Sequence, residues 1–256
     1  DGVGGPPYHG LVLERDERMP EARLLLGIRC LGGLHPRDVA VPELVVAAGG
    51  RHAQDHTRSI RVQWLDPVEV PERAVERVAA HVGGASVEAG GADQSAFLRA
   101  IDSEKGARVL IAERGQIINL GKGVYLEILF PDRPLPSVET NTGSIVARLV
   151  YGDTAFMLTG DAPQTIEEYL VSLDGRSLKS DVLKAGHHGS RTSSALAFVG
   201  YVAPSYTVFS RGCDNSYGHP HKEVVELFAR FGIPTSDTCK DGTVTFVSDG
   251  RTVSRR

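Results

Sequence analysis

The stretch LKAGHHGS, Leu183 to Ser190, ends an apolar run fit for a buried strand (Asp181 to Ala185) at Gly186 and delivers two adjacent histidines, His187 and His188. On its upstream side TAFMLTGD runs another apolar strand into Gly160 and Asp161, and downstream NSYGHPH offers Asn215, His219 and His221. Every histidine after Gly106 lies in one of these motifs. A carboxylate at the mouth of one strand and imidazoles at the mouth of the next is how a metal site is assembled at a sheet edge, because a short turn aims its ligand in a fixed direction. The pattern reads as half of a metallo-hydrolase site.

The neighbouring text supports a layered fold. Arg108 to Ala112, Gln116 to Leu120 and Val124 to Phe130 are strand-like runs split by the turn signals Arg114-Gly115 and Gly121-Lys122-Gly123. Ser144 to Tyr151 and Thr154 to Leu158 are strands joined by the hairpin signal Gly152-Asp153. Pro163 to Leu173 opens with Pro and carries Glu167-Glu168 in its first turns, as a helix N-terminus prefers. Helices are expected at Thr192 to Val199 and Lys222 to Phe231, and strands at Tyr206 to Ser210, Gly242 to Val247 and Arg251 to Val253. Strands and helices alternating through short links give α/β or α+β with stacked sheets.

Residues 1 to 106 read differently. DGVGGPPYHG is irregular, Ala22 to Ile28 and Val39 to Ala48 are apolar runs, and Pro71 to Val82 has one apolar helical face. Only three aromatic residues, Tyr8, Trp64 and Phe97, fall before Gly106, so this part is poorly equipped to pack a core alone. The expected division is therefore a degenerate or truncated N-terminal half, 1–106, and a well-formed C-terminal half, 107–256. The chain has 256 residues, 41% of them hydrophobic, enough for a sizeable core. Its net charge of −4 argues against a broadly basic nucleic-acid wrapper. Asp1 in place of Met reads as a piece of a longer protein. Cys30, Cys213 and Cys239 are odd in number and form no C-x-x-C pair, which favours unpaired thiols; a Cys213–Cys239 bond would be natural only outside the cytoplasm.

Taken together, Asn141/Ser144, Leu158 to Asp161, Leu183 to Ser190, Ser210 to His221 and Thr238 to Thr243 resemble the metallo-β-lactamase-fold domain of ComEC-type competence proteins, over residues 107 to 256. The resemblance implies an αββα sandwich with metals at one edge, one or two divalent ions of zinc or manganese, and hydrolysis of phosphodiester bonds with DNA as partner. It also suggests an extracytoplasmic or membrane-associated parent protein. Family members carry D-x-G-Q-G-D and H-x-D-x-D-H motifs in their first half, and neither is intact here. The nearest fragments are His52, Asp55 and His56 in RHAQDH, and His35 with Asp38 in HPRD.

Candidate metal residues are thus Asp161, His187, His188, His52, Asp55 and His56, with His187 favoured over His188 because alternation along a strand end sends the two to opposite sides. His219, His221 and Asn215 are the catalytic candidates, the histidines stabilising developing charge or protonating a leaving oxygen. Gly189 leaves room for a ligand, and Ser190 either donates to a phosphate oxygen or caps the next helix. Each residue also has a plainer role: Asp161 as a helix cap, RHAQDH as an exposed loop, Lys184 as an edge residue reaching for solvent. With two protein ligands in place of the usual three, the chain is expected to be weak or inactive unless RHAQDH reaches the Asp161 edge. The alternatives are a metal-free binding or structural domain and a metallo-hydrolase of lactones, thioesters or β-lactams.

Overall fold

The computed structural model describes residues 108–121, 123–133 and 141–256, and before them the course of five strands: β1 (Gly10–Leu13), β2 (Ala22–Arg29), β3 (Glu43–Ala48), β4 (Ile60–Trp64) and β5 (Ala80–His81). The RHAQDH and HPRD fragments lie outside the described residues. So does most of the helix expected at Pro71 to Val82, whose Ala80 and His81 instead pair with β1 and β2.

From residue 108 the strands are β6 (Arg108–Ile111), β7 (Ile117–Gly121), β8 (Val124–Phe130), β9 (Val146–Tyr151), β10 (Thr154–Leu158), β11 (Val182–Lys184), β12 (Tyr206–Phe209), β13 (Thr235–Asp237), β14 (Val244–Ser248) and β15 (Val253–Arg255). The helices are α1 (Gln164–Asp174), α2 (Leu196–Val202), α3 (Lys222–Arg230) and the short α4 (Thr238–Asp241). The result is a mixed α/β fold. A seven-stranded sheet has the order β13-β12-β11-β10-β9-β8-β7, parallel from β13 to β10 and antiparallel from β10 to β7. A second sheet, β15-β14-β4-β3-β2-β5-β1-β6, joins strands from before residue 107 to the last two strands of the chain.

Alternation along the central strands sends side chains to two cores. Leu126, Ile128, Leu149, Phe156, Leu158, Val182 and Val208 face one way and pack with Val244 and Phe246 of β14. Phe130, Val146, Met157, Leu183 and Phe209 face the other way and pack with Leu170 of α1, Phe198 and Val202 of α2 and Leu227 and Phe228 of α3. Each such side chain contributes about 1.5–3 kcal/mol on burial, so both faces of this sheet are strongly held. The described part is thus helices, a mixed sheet and a strand layer from the second sheet. Among the described residues no helix is long and apolar enough to cross a membrane.

α2 begins at Leu196, later than the expected Thr192. The reason is local: Ser193 Oγ donates to the Ala162 carbonyl (2.7 Å), and the Glu167 carboxylate accepts the backbone N–H groups of Ser194 (3.0 Å) and Ala195 (2.6 Å). Those bonds hold residues 193–195 in a turn rather than a helix, with Ser194 at φ 62.

Candidate functional site

The parallel pairing of β10, β11 and β12 aligns Leu158, Lys184 and Val208. The three segments that continue from these strands therefore leave the sheet at the same edge: Thr159-Gly160-Asp161, Ala185-Gly186-His187-His188 and Ser210-Arg211. The carboxyl ends of parallel strands are where open α/β sheets hold ligands. The first two turns are tied together, since the His187 N–H donates to the Gly160 carbonyl at 3.1 Å. Ser144 Oγ accepts the Asp161 N–H (3.1 Å), which gives the Asn141/Ser144 motif its physical role. Pro163, not Asp161, occupies the N-cap position of α1, with no side-chain cap bond.

Lys184 corrects the sequence reading. It lies in the middle of the sheet and is only 4% exposed. Its ammonium donates to the Gly160 carbonyl at 3.0 Å, so it braces the turn that carries Asp161.

The two histidines are not in extended backbone, so strand alternation does not apply to them. They form a tight turn with both residues left-handed, His187 at φ 46 and His188 at φ 57. For residues with a Cβ this costs of order 1–3 kcal/mol each and persists only where surrounding contacts enforce it. The ring standing against Asp161 is that of His188, with Nε2 at 3.7 Å from Asp161 Oδ1. Its other nitrogen, Nδ1, is 2.6 Å from the Ser210 carbonyl oxygen. A carbonyl only accepts, so Nδ1 carries the proton and Nε2 presents its lone pair towards Asp161. Burial pushes the His188 pKa down, outweighing the facing carboxylate. His187 points elsewhere: its Nδ1 is 3.4 Å from Thr192 Oγ1, and its ring centre 5.4 Å from that of His219.

The third segment, Ser210 to His221, is long and cross-braced. Cys213 and Cys239 are joined in a disulfide with Cα atoms 4.8 Å apart, which corrects the expectation of unpaired thiols. At the loop's start the Arg211 N–H donates to Thr238 Oγ1 (2.8 Å) and its guanidinium pairs with Asp237 (2.7 Å). Asn215 turns its amide back on its own loop, donating to the carbonyls of Gly212 (3.0 Å) and His219 (3.1 Å) and accepting the His219 N–H (2.8 Å). The far end docks on the histidine turn, where the His221 N–H donates to the Gly189 carbonyl at 2.9 Å. Gly189 has φ +87, and a Cβ there would meet Pro220 Cβ at 2.6 Å. This close approach by itself requires the glycine.

The outcome is four imidazoles linked by ring contacts, of which His188 faces the Asp161 carboxylate. The His219 ring centre lies 6.4 Å from His188 and 4.9 Å from His221, and the ring stacks on Tyr217 at 5.6 Å. Burial, helped by His187, His188 and His221, pushes the His219 pKa down to about 4. His219 is therefore neutral at pH 7. Ser190 Oγ is 3.0 Å from Thr192 Oγ1 and accepts the Thr192 N–H (3.3 Å), a local turn. Sequence reasoning passed over Glu167, whose pKa burial raises to about 7. Its place three residues before Leu170, on the buried face of α1, was the available signal.

The donor chemistry of Asp161 and His188 fits a divalent cation. Two donors sharing one tetrahedral ion at the usual bond lengths stand about 3.4 Å apart, close to the 3.7 Å seen between His188 Nε2 and Asp161 Oδ1. An imidazole that gives its Nδ1–H to a backbone carbonyl is also how ligating histidines are oriented. The set is incomplete: among the described residues no group of three His, Cys, Asp or Glu side chains converges as a metal site. His52, Asp55 and His56 lie outside the described residues.

No family model matches the chain. Over 143 residues, 56% of its length, it is 32% identical to ComE operon protein 3 of Bacillus subtilis (strain 168), of which it covers 18%. It is 38% identical over 142 residues, again 56% of its length, to Competence protein ComA of Neisseria gonorrhoeae, covering 20% of that protein. Over 123 residues, 48% of the chain, it is 32% identical to Recombination protein 2 of Haemophilus influenzae, covering 15%. The chain thus spans a fifth or less of the length of these relatives, and over about half of its own length it is similar to proteins named for competence and recombination.

Proposed function

We propose that the chain is the hydrolase part of a competence-type DNA-uptake protein, cleaving phosphodiester bonds with a divalent metal, zinc or manganese. The observation that carries this is the His188–Asp161 pair, with Nδ1 committed to Ser210 and Nε2 facing the carboxylate. The similarity to competence proteins supports DNA as the substrate class. The described layers, helices and then two sheets in contact, support an αββα sandwich of the metallo-β-lactamase kind, of which they would form three layers.

Asp161 and His188 would hold the ion, with a further donor from His187 or from His52, Asp55 and His56. Such an ion supplies Lewis acidity towards a phosphoryl oxygen and lowers the pKa of water towards neutrality. The chain's own residues fix the geometry around it. Lys184 and Ser144 hold the turn that presents Asp161, and Ser210 sets the tautomer of His188. His219, neutral near pH 7, puts an uncharged imidazole where a cationic one would repel a metal.

The test is metal per chain after purification without chelator, together with cleavage of a DNA oligonucleotide with added manganese or zinc. Cleavage that needs the ion and disappears in Asp161→Asn and His188→Ala is expected. Undiminished cleavage in excess chelator sinks the reading. So does hydrolysis of a lactone or β-lactam with no action on the oligonucleotide, and a chain that takes up no metal and cleaves nothing is the metal-free binding domain instead.

A further inference from the structure

His221 sits at the same rim as His188 but is held in the opposite way. Its Nδ1 lies 3.1 Å from the backbone N of Arg191, within hydrogen-bond geometry. A backbone N–H only donates, so Nδ1 of His221 must be the acceptor and carry no proton, and the ring proton is on Nε2. An imidazolium would set a proton on Nδ1 against that N–H and lose the bond. His221 is fixed in place at its backbone as well, by the bond from its N–H to the Gly189 carbonyl (2.9 Å). At the start of α3 it makes no side-chain cap bond to its own helix. Its ring centre is 4.9 Å from that of His219, which is in turn 6.4 Å from His188.

The backbone thus sorts the imidazoles. Ser210, an acceptor, makes His188 present a lone pair at Nε2; Arg191, a donor, makes His221 present an N–H there. A lone pair serves a cation, whereas an N–H serves an anionic oxygen. We propose that His221 is the group that binds the substrate's anionic oxygen, donating its Nε2–H to a phosphoryl oxygen, while His188, of the opposite tautomer, serves the Asp161 side. The identity of the anion as phosphoryl rests on the phosphodiesterase reading; the tautomer does not. The assignment also separates His221 from His219, which the sequence leaves interchangeable.

The experiment has two parts, both on the full chain. Long-range 1H–15N correlation of 15N-histidine-labelled protein reads each ring's tautomer, with His221→Ala and His188→Ala used to assign the signals. The expected spectrum has His221 as the Nε2–H form and His188 as the Nδ1–H form. The second part measures affinity for inorganic phosphate in the wild-type chain and in His221→Gln, His221→Asn and His221→Ala. Gln carries an amide N–H2 near the Nε2 position, whereas Asn keeps an acceptor near Nδ1 for Arg191 but no donor further out. Loss of one hydrogen bond to an anion weakens binding about tenfold or more, so Ala and Asn are expected to fall by that factor and Gln to stay within about threefold.

Three results overturn the proposal: an Nδ1–H tautomer at His221, phosphate binding rescued by Asn and not by Gln, or no saturable phosphate binding by the wild-type chain. Metal content is measured alongside, and loss of metal in all three variants makes His221 a ligand and overturns it too. If tautomer and phosphate binding behave as stated while no phosphodiester is cleaved with any ion, the anion site stands and it is the hydrolase reading that fails.

Discussion

The Gly186–Gly189 turn and the loop from Ser210 to His221 bring histidines to one rim, but they are held by different physics. The turn is short and continues a strand buried on both faces, so the sheet fixes where it starts, and two residues accept left-handed backbone to aim their rings. The loop is long and leaves the sheet behind. It is held by a disulfide, the Arg211–Asp237 pair, the Asn215 amide and the docking of Pro220 on Gly189. A turn next to the core needs little beyond the core to be precise. A loop of this length must carry its own cross-links to offset the entropy of ordering it.

The largest expected effect breaks the turn's own symmetry. His188→Ala should lower metal affinity and cleavage more than about a hundredfold, beyond what losing a hydrogen-bond partner of a ligand costs, whereas His187→Ala should do less. Metal titration of the two variants checks this, and equal losses would return His187 to the first rank. Next, Gly189→Ala attacks the seam between turn and loop. A Cβ at 2.6 Å from Pro220, at φ +87, should cost about 3 kcal/mol or more by denaturant unfolding, with the loop displaced from the rim. Retained stability would mean that the seam is not tight.

Cys213→Ser addresses the loop alone. Cutting a crosslink between residues 26 apart in sequence should cost about 3 kcal/mol and weaken phosphate binding while leaving the His188 tautomer signal in place. A shift of that signal would show that turn and loop are not separable. The last effect, read as a slope with pH rather than as a loss at one pH, concerns Glu167, whose carboxylate accepts backbone N–H groups of the turn at residues 193–195. Its folded pKa of about 7 lies above the ordinary carboxylate value of 4.5, so between these limits the native state binds more protons than the unfolded one and stability falls as pH rises. Glu167→Gln should remove that contribution, at most about 1.4 kcal/mol per pH unit, from urea midpoints measured across pH 4.5 to 8. Parallel pH profiles for the two proteins would place the carboxylate in water.

Much of the described fold comes from local pattern. Val124–Phe130 and Thr154–Leu158 have the bounds their apolar runs predict, and the turns carrying Asp161 and His188 lie side by side because each directly succeeds a buried strand. Local pattern fails where a residue's neighbour is remote in sequence. Lys184 looks like an edge residue until β10 and β12 flank it and the Gly160 carbonyl receives its ammonium. Cys213 and Cys239 become a pair only when β12 and β13 lie side by side and bring their ends together.

Which histidine faces the carboxylate is the sharpest case. That imidazoles and a carboxylate gather at one sheet edge is written in the chain itself, since strand hydrophobicity and turn glycines are local properties. What each imidazole can do is written only in the folded molecule. The Ser210 carbonyl behind His188 and the Arg191 N–H behind His221 set which ring nitrogen keeps its proton, and a tautomer depends on a hydrogen-bond partner that no neighbouring residue in the sequence supplies.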